Sequence, residues 1–167
     1  LAAALPAERA LLVDSIGKKV RFLATVVAAV GLDRHVAAEA ARSESLAASR
    51  ADRGRWPAVT ARAVAPLGEL IELGLPLLHP GGVLIAWKRE SGADPFALEA
   101  EVAAARRAVG AIDPGSRIGV EAPVGPASGL ADRAVLADHR LVIVERGTGP
   151  ITATWPRDPA TRRRQPW

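Results

Sequence analysis

Residues 10–32 read ALLVDSIGKKVRFLATVVAAVGL. The run at 10–13 is apolar and is closed by Asp14, the pattern of a buried parallel strand. Ser15 then stands where a helix cap is favoured, and Val20, Leu23, Val26, Val27 and Val30 recur at helical spacing. Gly31 falls at the usual position just past a helix end. The rest of the chain repeats this alternation of strand and helix. Residues 35–40 read as a weak strand, Ser43 opens a short helix with Leu46 inward, and 52–57 form a polar break. Residues 58–64 predict another buried strand. Pro66 opens a helix with Leu67, Leu70 and Ile71 inward, and Gly74 is expected to end it rather than pack inside it. His79-Pro80-Gly81-Gly82 reads as a turn before the strand VLIAWK at 83–88. A helix over 96–109 and strands over 117–120 and 141–144 complete the series. The pattern predicts an α/β domain with a mainly parallel sheet and a late antiparallel strand. Residues 1–5 read as the end of an alanine-rich helix stopped by Pro6, and the chain after Gly147 shows no periodicity.

The 167 residues, 49% hydrophobic and 24% charged, describe a globular chain able to bury one core. Cysteine is absent, so disulfides, thiolate nucleophiles and cysteine metal sites are excluded. His35, His79 and His139 are scattered, which argues against a histidine-zinc motif, and no metal is expected. No run approaches the roughly 18 apolar residues of a transmembrane helix. The start, LAAALPAERALLVD, lacks the basic region of a signal peptide, and no methionine occurs. A cytoplasmic monomer is expected.

The formal net charge is +4, and five arginines against Asp158 over 146–167 carry all of it. A neutral body with this basic end points to a polyanionic partner, nucleic acid or membrane surface, and the expected division is a folded body over 1–147 and a tail over 148–167. The alternatives are a solvated tail or a general arginine bias, since Lys18, Lys19 and Lys88 are the only lysines.

Ligands of open α/β sheets bind at the carboxyl ends of the strands. That rule selects Asp14, the residues after Ala40, those around Arg62, and Lys88. A carboxylate at Asp14 can accept both hydroxyls of a ribose, or it can serve as a helix cap. Ser43 and Glu44 can hydrogen-bond a purine ring, or they are first-turn helix residues. Arg62, inside the apolar run VTARAVAPL, needs an anion, either a ligand carboxylate or phosphate or an acid such as Glu44. Lys88 closes its strand, where a lysine is often merely exposed. Trp155 beside Pro156-Arg157 is an aromatic among arginines, able to stack on bases. Neither GxGxxG nor a P-loop occurs.

Four segments in order carry a resemblance: VDSIGKKVRFL, then Arg42-Ser43-Glu44-Ser45-Leu46, then VTARAVAPLGELIELGLPLLHPGG at 59–82, then AWK with a WPR…RRR…P tail. Together they resemble the bacterial RsmG (GidB) family of small-subunit rRNA guanine-N7 methyltransferases, over nearly the whole chain. The resemblance implies a Rossmann-like class I methyltransferase sheet and S-adenosylmethionine (SAM) as methyl donor. It places Asp14 and Ser15 at the ribose, Ser43 and Glu44 near the adenine, and Arg62 at the cofactor. It places Arg42 near the cofactor or the RNA, and Lys88, Trp155, Arg157, Arg162, Arg163 and Arg164 on the RNA side. The partner implied is small-subunit (16S) rRNA or the 30S subunit.

Two departures stand out. The family's glycine-rich loop, G-x-G-x-G-x-P-G, would precede residue 1, together with the first strand. The chain is therefore expected to be a fragment with a compromised SAM site and exposed strand edges. In the late strand the family's R-H order is His139-Arg140 here, which is expected to turn the arginine to the other face. Two alternatives remain open, a catalytically silent rRNA-binding fragment and a class I methyltransferase acting on a small molecule.

Overall fold

The computed structural model describes residues 9–62, 64–90, 96–123 and 136–167. The helix expected over 1–5 lies outside them. Two compact units result, Leu1–Leu46 and Ala47–Trp167.

The first unit holds strand β1 (Ala10–Asp14), helix α1 (Gly17–Ala29), strand β2 (Val36–Ala40) and the start of helix α2 (Ser43–Ala48). β1 and β2 pair in parallel, with Asp14 opposite Ala40. β1 forms where expected but is half-buried, with Val13 38% exposed, because β2 is its one partner among the described strands. On α1, Val20 and Val27 are buried and Leu23 is half-buried, while Val26 and Val30 face outward. The inward stripe is therefore narrower than the valine spacing predicts. Gly31 has φ of 70°, the left-handed conformation that glycine adopts without strain after a helix.

The second unit is built on strands β3 (Trp56–Arg62), β4 (Leu78–Arg89), β5 (Arg117–Glu121) and β6 (His139–Glu145), in the order β3-β4-β6-β5. β3 and β4 are parallel, and β6 runs antiparallel to both β4 and β5. This is the expected late reversed strand. Helices α3 (Leu67–Gly74) and α4 (Ala97–Ile112) cover one face. Leu84 and Ala86 of β4 and Val142 and Val144 of β6 point into that core with Leu67, Ile71, Leu75, Val102 and Ala105. β3 was expected to be buried throughout. Among the described strands it lies at the edge of its sheet instead, and Val59 and Ala61 are its side chains that pack against the core.

Two glycines are set by close approach. Gly74 does end α3, yet it is also buried, and a side chain there would collide with Leu84. The His79-Pro80-Gly81-Gly82 stretch is not a free turn. It belongs to β4, across from an irregularity in the β3 register between Trp56 and Ala58. A Cβ on Gly82 would lie 2.9 Å from the His79 carbonyl oxygen, so no other residue fits.

The chain after Gly147 is ordered on this unit. It carries a further helix, α5 (Pro159–Arg164), capped by Asp158, whose carboxylate accepts from the Ala160 and Thr161 amides at 3.0 Å each. Among the described residues, no helix is long and apolar enough to cross a membrane, and no group of acidic or histidine side chains is gathered to hold a metal.

Candidate functional site

Asp14 ends β1 and stands at the carboxyl edge of its sheet. Its Oδ1 accepts from the Ile16 amide at 2.8 Å, and its Oδ2 pairs with Lys19 at 3.2 Å. Asp14, not Ser15, therefore supports the start of α1, whose capping position is Ile16. Ser15 is exposed beside it. The Ile16 amide, with Lys19 adding to it, holds the Asp14 carboxyl below its ordinary value of 3.8.

Ser43 and Glu44 follow β2 at the same edge and are half-buried. Ser43 is the first residue of α2 rather than its cap. The Arg42 carbonyl accepts the first helical bonds, from Ser45 at 3.0 Å and Leu46 at 3.2 Å. Asp14, Ser15, Ser43 and Glu44 are thus gathered at the ends of two adjacent parallel strands, with exposed Arg42 next to them.

These residues fit the adenosine part of SAM. A carboxylate has about four acceptor positions. Asp14 uses two, on different oxygens, and keeps capacity for a vicinal diol. Ser43 supplies a hydroxyl and Glu44 a second carboxylate at the next strand end.

Arg62 ends β3, in the second unit, and is exposed. It is not the buried arginine expected, because β3 is an edge strand among the described strands and leaves it in solvent. Its guanidinium has no hydrogen-bond or ion-pair partner among the described residues. Lys88, near the end of β4, is half-buried instead of exposed. Its side chain is 16% accessible and is ion-paired with Glu101 of α4. Arg140 pairs with Glu90 at 2.8 Å and donates to the carbonyls of Ala137 and His139.

The basic segment divides sharply. Glu72 of α3 is fully buried and accepts from the Arg157 amide at 2.7 Å, from Arg157 Nη2 at 2.7 Å and from Trp167 Nε1 at 2.7 Å. The Arg157 guanidinium also lies 4.5 Å from the Trp167 ring centroid. Arg162 is buried, donates to Glu69 at 3.1 Å and to the Arg157 carbonyl at 2.6 Å. Trp155 packs on the core beside Trp167. Arg53 also holds the segment, donating to the carbonyls of Ile151, Thr152 and Trp155, and it donates to the Ala47 carbonyl as well. Arg146 is buried against the Leu78 and Gly149 carbonyls, and burial pushes its guanidinium below the usual arginine value. Of the five tail arginines, only Arg163 and Arg164 are exposed.

Sequence reasoning passed over Glu72, Arg53 and Glu101. The available signal was Glu72 itself, an acid among the apolar residues of LGELIELG, which needs a cation once buried.

Residues 1–111 match the family described as "GidB: rRNA small subunit methyltransferase G". The chain is 39% identical over 153 residues to a "Ribosomal RNA small subunit methyltransferase G" of Deinococcus radiodurans, covering 92% of this chain and 54% of that protein. It is 37% identical over 146 residues to the protein of the same name from Roseiflexus castenholzii, covering 87% and 55%. The chain spans about half the length of the curated relatives it matches. Among solved structures it resembles the antibiotic-resistance methyltransferase Kmr, with TM-score 0.60 and 21% identity, over 89% of this chain and 80% of that one. That likeness matches the α/β methyltransferase fold, with its reversed late strand. The family match and the relatives agree on one assignment: the chain belongs to the rRNA small subunit methyltransferase G (GidB) family.

Proposed function

We propose that the protein to which this chain belongs methylates N7 of a guanine in small-subunit (16S) rRNA, using SAM. The observation that carries this reading is the set Asp14, Ser15, Ser43 and Glu44 at the ends of two adjacent parallel strands, in a chain of this family. Asp14 takes the ribose hydroxyls while its other acceptor positions keep α1 in place. Ser43 and Glu44 face the adenine, and a cofactor role for Arg62 rests on the family resemblance alone. SAM, when bound, supplies a methyl group already activated on a sulfonium. Guanine N7 carries an in-plane lone pair, so no side chain has to remove a proton first. The chain's work is to align and desolvate the two partners, which can supply about 7–11 kcal/mol of the barrier. A-form helices hide the N7 edge, so the target is a base in an open loop or one exposed during subunit assembly.

On the RNA side we assign phosphate contacts to Arg42, Arg163 and Arg164, the exposed cations of the set. Lys88, Arg157 and Arg162 are engaged by Glu101, Glu72 and Glu69, and Trp155 packs on the core, so no phosphate contact is assigned to them. The protein works as a cytoplasmic monomer on the rRNA or the 30S subunit.

The test is transfer of a labelled methyl group from SAM to 30S subunits lacking the modification, using the full-length protein. Label at a guanine N7, lost in Asp14→Ala, supports the reading. Salt-sensitive rRNA binding without transfer replaces it with a silent binder, and transfer only to small molecules replaces the substrate class.

A further inference from the structure

Glu101 lies in α4, away from both strand ends in sequence. Its Oε2 accepts from the Leu67 amide at 2.9 Å, and the same oxygen pairs with Lys88 Nζ. Leu67 is the first residue of α3, which follows β3, and Lys88 lies near the carboxyl end of β4. β3 and β4 are parallel neighbours, with Arg62 opposite Trp87. One carboxylate oxygen therefore ties the start of the helix that follows β3 to the carboxyl end of β4, at the edge where α/β enzymes hold their ligands.

Each contact answers a local need. The Leu67 amide is among the donors that a helix start leaves unpaired, and Pro66 at the capping position offers no side-chain bond. Negative charge is favourable at that helix end. Lys88, mostly buried, needs a counter-charge that its own strand does not supply. Glu101 meets both needs from a third element, so neither segment shifts without the other.

We propose that Glu101 is a positioning residue for methyl transfer. It fixes the start of α3 and Lys88 relative to each other, and so holds the carboxyl ends of β3 and β4 at constant spacing toward the reacting groups. It touches neither cofactor nor guanine. The inference rests on the proposed function for its catalytic consequence and on the geometry for the bridge itself.

The experiment compares Glu101→Ala and Glu101→Gln with the unaltered full-length protein. It reads hydrogen exchange of the Leu67 amide, the melting temperature, and kcat and KM for SAM on unmethylated 30S subunits. In Glu101→Ala, Leu67 exchange rises about tenfold, as loss of one hydrogen bond allows. There kcat falls about tenfold or more with KM unchanged, the mark of misplaced rather than unbound partners. Glu101→Gln keeps an acceptor for Leu67 and restores its protection, but does not restore the ion pair to Lys88. Equal exchange in all three proteins overturns the bridge. Altered exchange with unaltered kcat overturns the positioning role. If Glu101→Ala does not fold, Glu101→Gln decides through kcat. If the unaltered protein transfers no methyl group, the proposed function fails, and Leu67 exchange alone upholds or overturns the bridge.

Discussion

Glu72 and Arg157 lie 85 positions apart in sequence and meet through four hydrogen bonds, two of them at 2.7 Å, around a carboxylate with no exposure to solvent. Removing the cation leaves a buried anion supported by the residue 157 backbone amide and Trp167 Nε1 alone among the described residues. Breaking a buried pair in this way costs about 3–5 kcal/mol. Arg157→Ala is expected to lose stability at the lower end of that range, since the Arg157 side chain is 20% exposed. Urea unfolding measures the loss. Replacing Glu72 and Arg157 together by apolar residues of similar volume is expected to recover most of it.

Arg163 and Arg164 behave in the opposite way. They are exposed, so alanine at either position changes stability by about 0.5 kcal/mol or less. If they contact phosphates, each substitution lowers the salt dependence of rRNA binding by about one counterion. Filter binding over a salt series checks this. Arg157→Ala, measured where the protein remains folded, is expected to leave that slope unchanged.

Gly68 has a different role. A Cβ built there falls 2.6 Å from the Trp167 Cβ. Gly68→Ala is therefore expected to push Trp167 off α3 and cost about 1–3 kcal/mol, as overpacking does. Trp167 also donates to Glu72, so the effect overlaps with that of Arg157→Ala. The double variant then loses less than the two single losses combined, which a double-mutant cycle measures.

Asp14 and Asp158 set an acid limit on two helix starts. Asp14 is held low chiefly by the Ile16 amide, and Asp158 chiefly by the Thr161 hydroxyl. A depressed carboxyl contributes stability above its unfolded value of 3.8, and the contribution disappears as pH falls through the lower folded value. Above about pH 5 neither start responds to pH. Below 3.8 the Ile16, Ala160 and Thr161 amides are expected to lose protection, which amide exchange detects. Asp14→Asn and Asp158→Asn remove the respective pH responses.

Much of the architecture was legible because it rests on apolar periodicity. The strands at Ala10–Asp14 and within Leu78–Arg89 have runs of apolar residues, and α3 and α4 have inward stripes. Asp14, Ser43 and Glu44 could be placed because strand ends are fixed once strands are. What stayed hidden rests on polar contacts between distant residues. α5 is six residues long and is held by Arg162 and Asp158 rather than by an apolar face, so no periodicity announces it. The tail looked like a free cationic arm because the anions that neutralise it, Glu69 and Glu72, sit on a helix some 90 residues earlier. Arg62 reads as buried because nothing in VTARAVAPL shows that its strand is an edge among the described strands.

The Glu72 contact also imposes an order on biosynthesis. Trp167 follows Glu72 by 95 positions, which at about 5–20 residues per second is roughly 5–20 s of translation. Contacts of such long separation form late in folding. Until then the Glu72 carboxylate keeps its water, because burying it alone is prohibitive. The surface of α3 that Trp155 and Trp167 later cover stays open on the nascent chain throughout that interval. Through that interval β3, α3 and β4 are already synthesised while the leucine-rich α3 is still open to chaperones. The arrival of the tryptophan-arginine segment ends that stage.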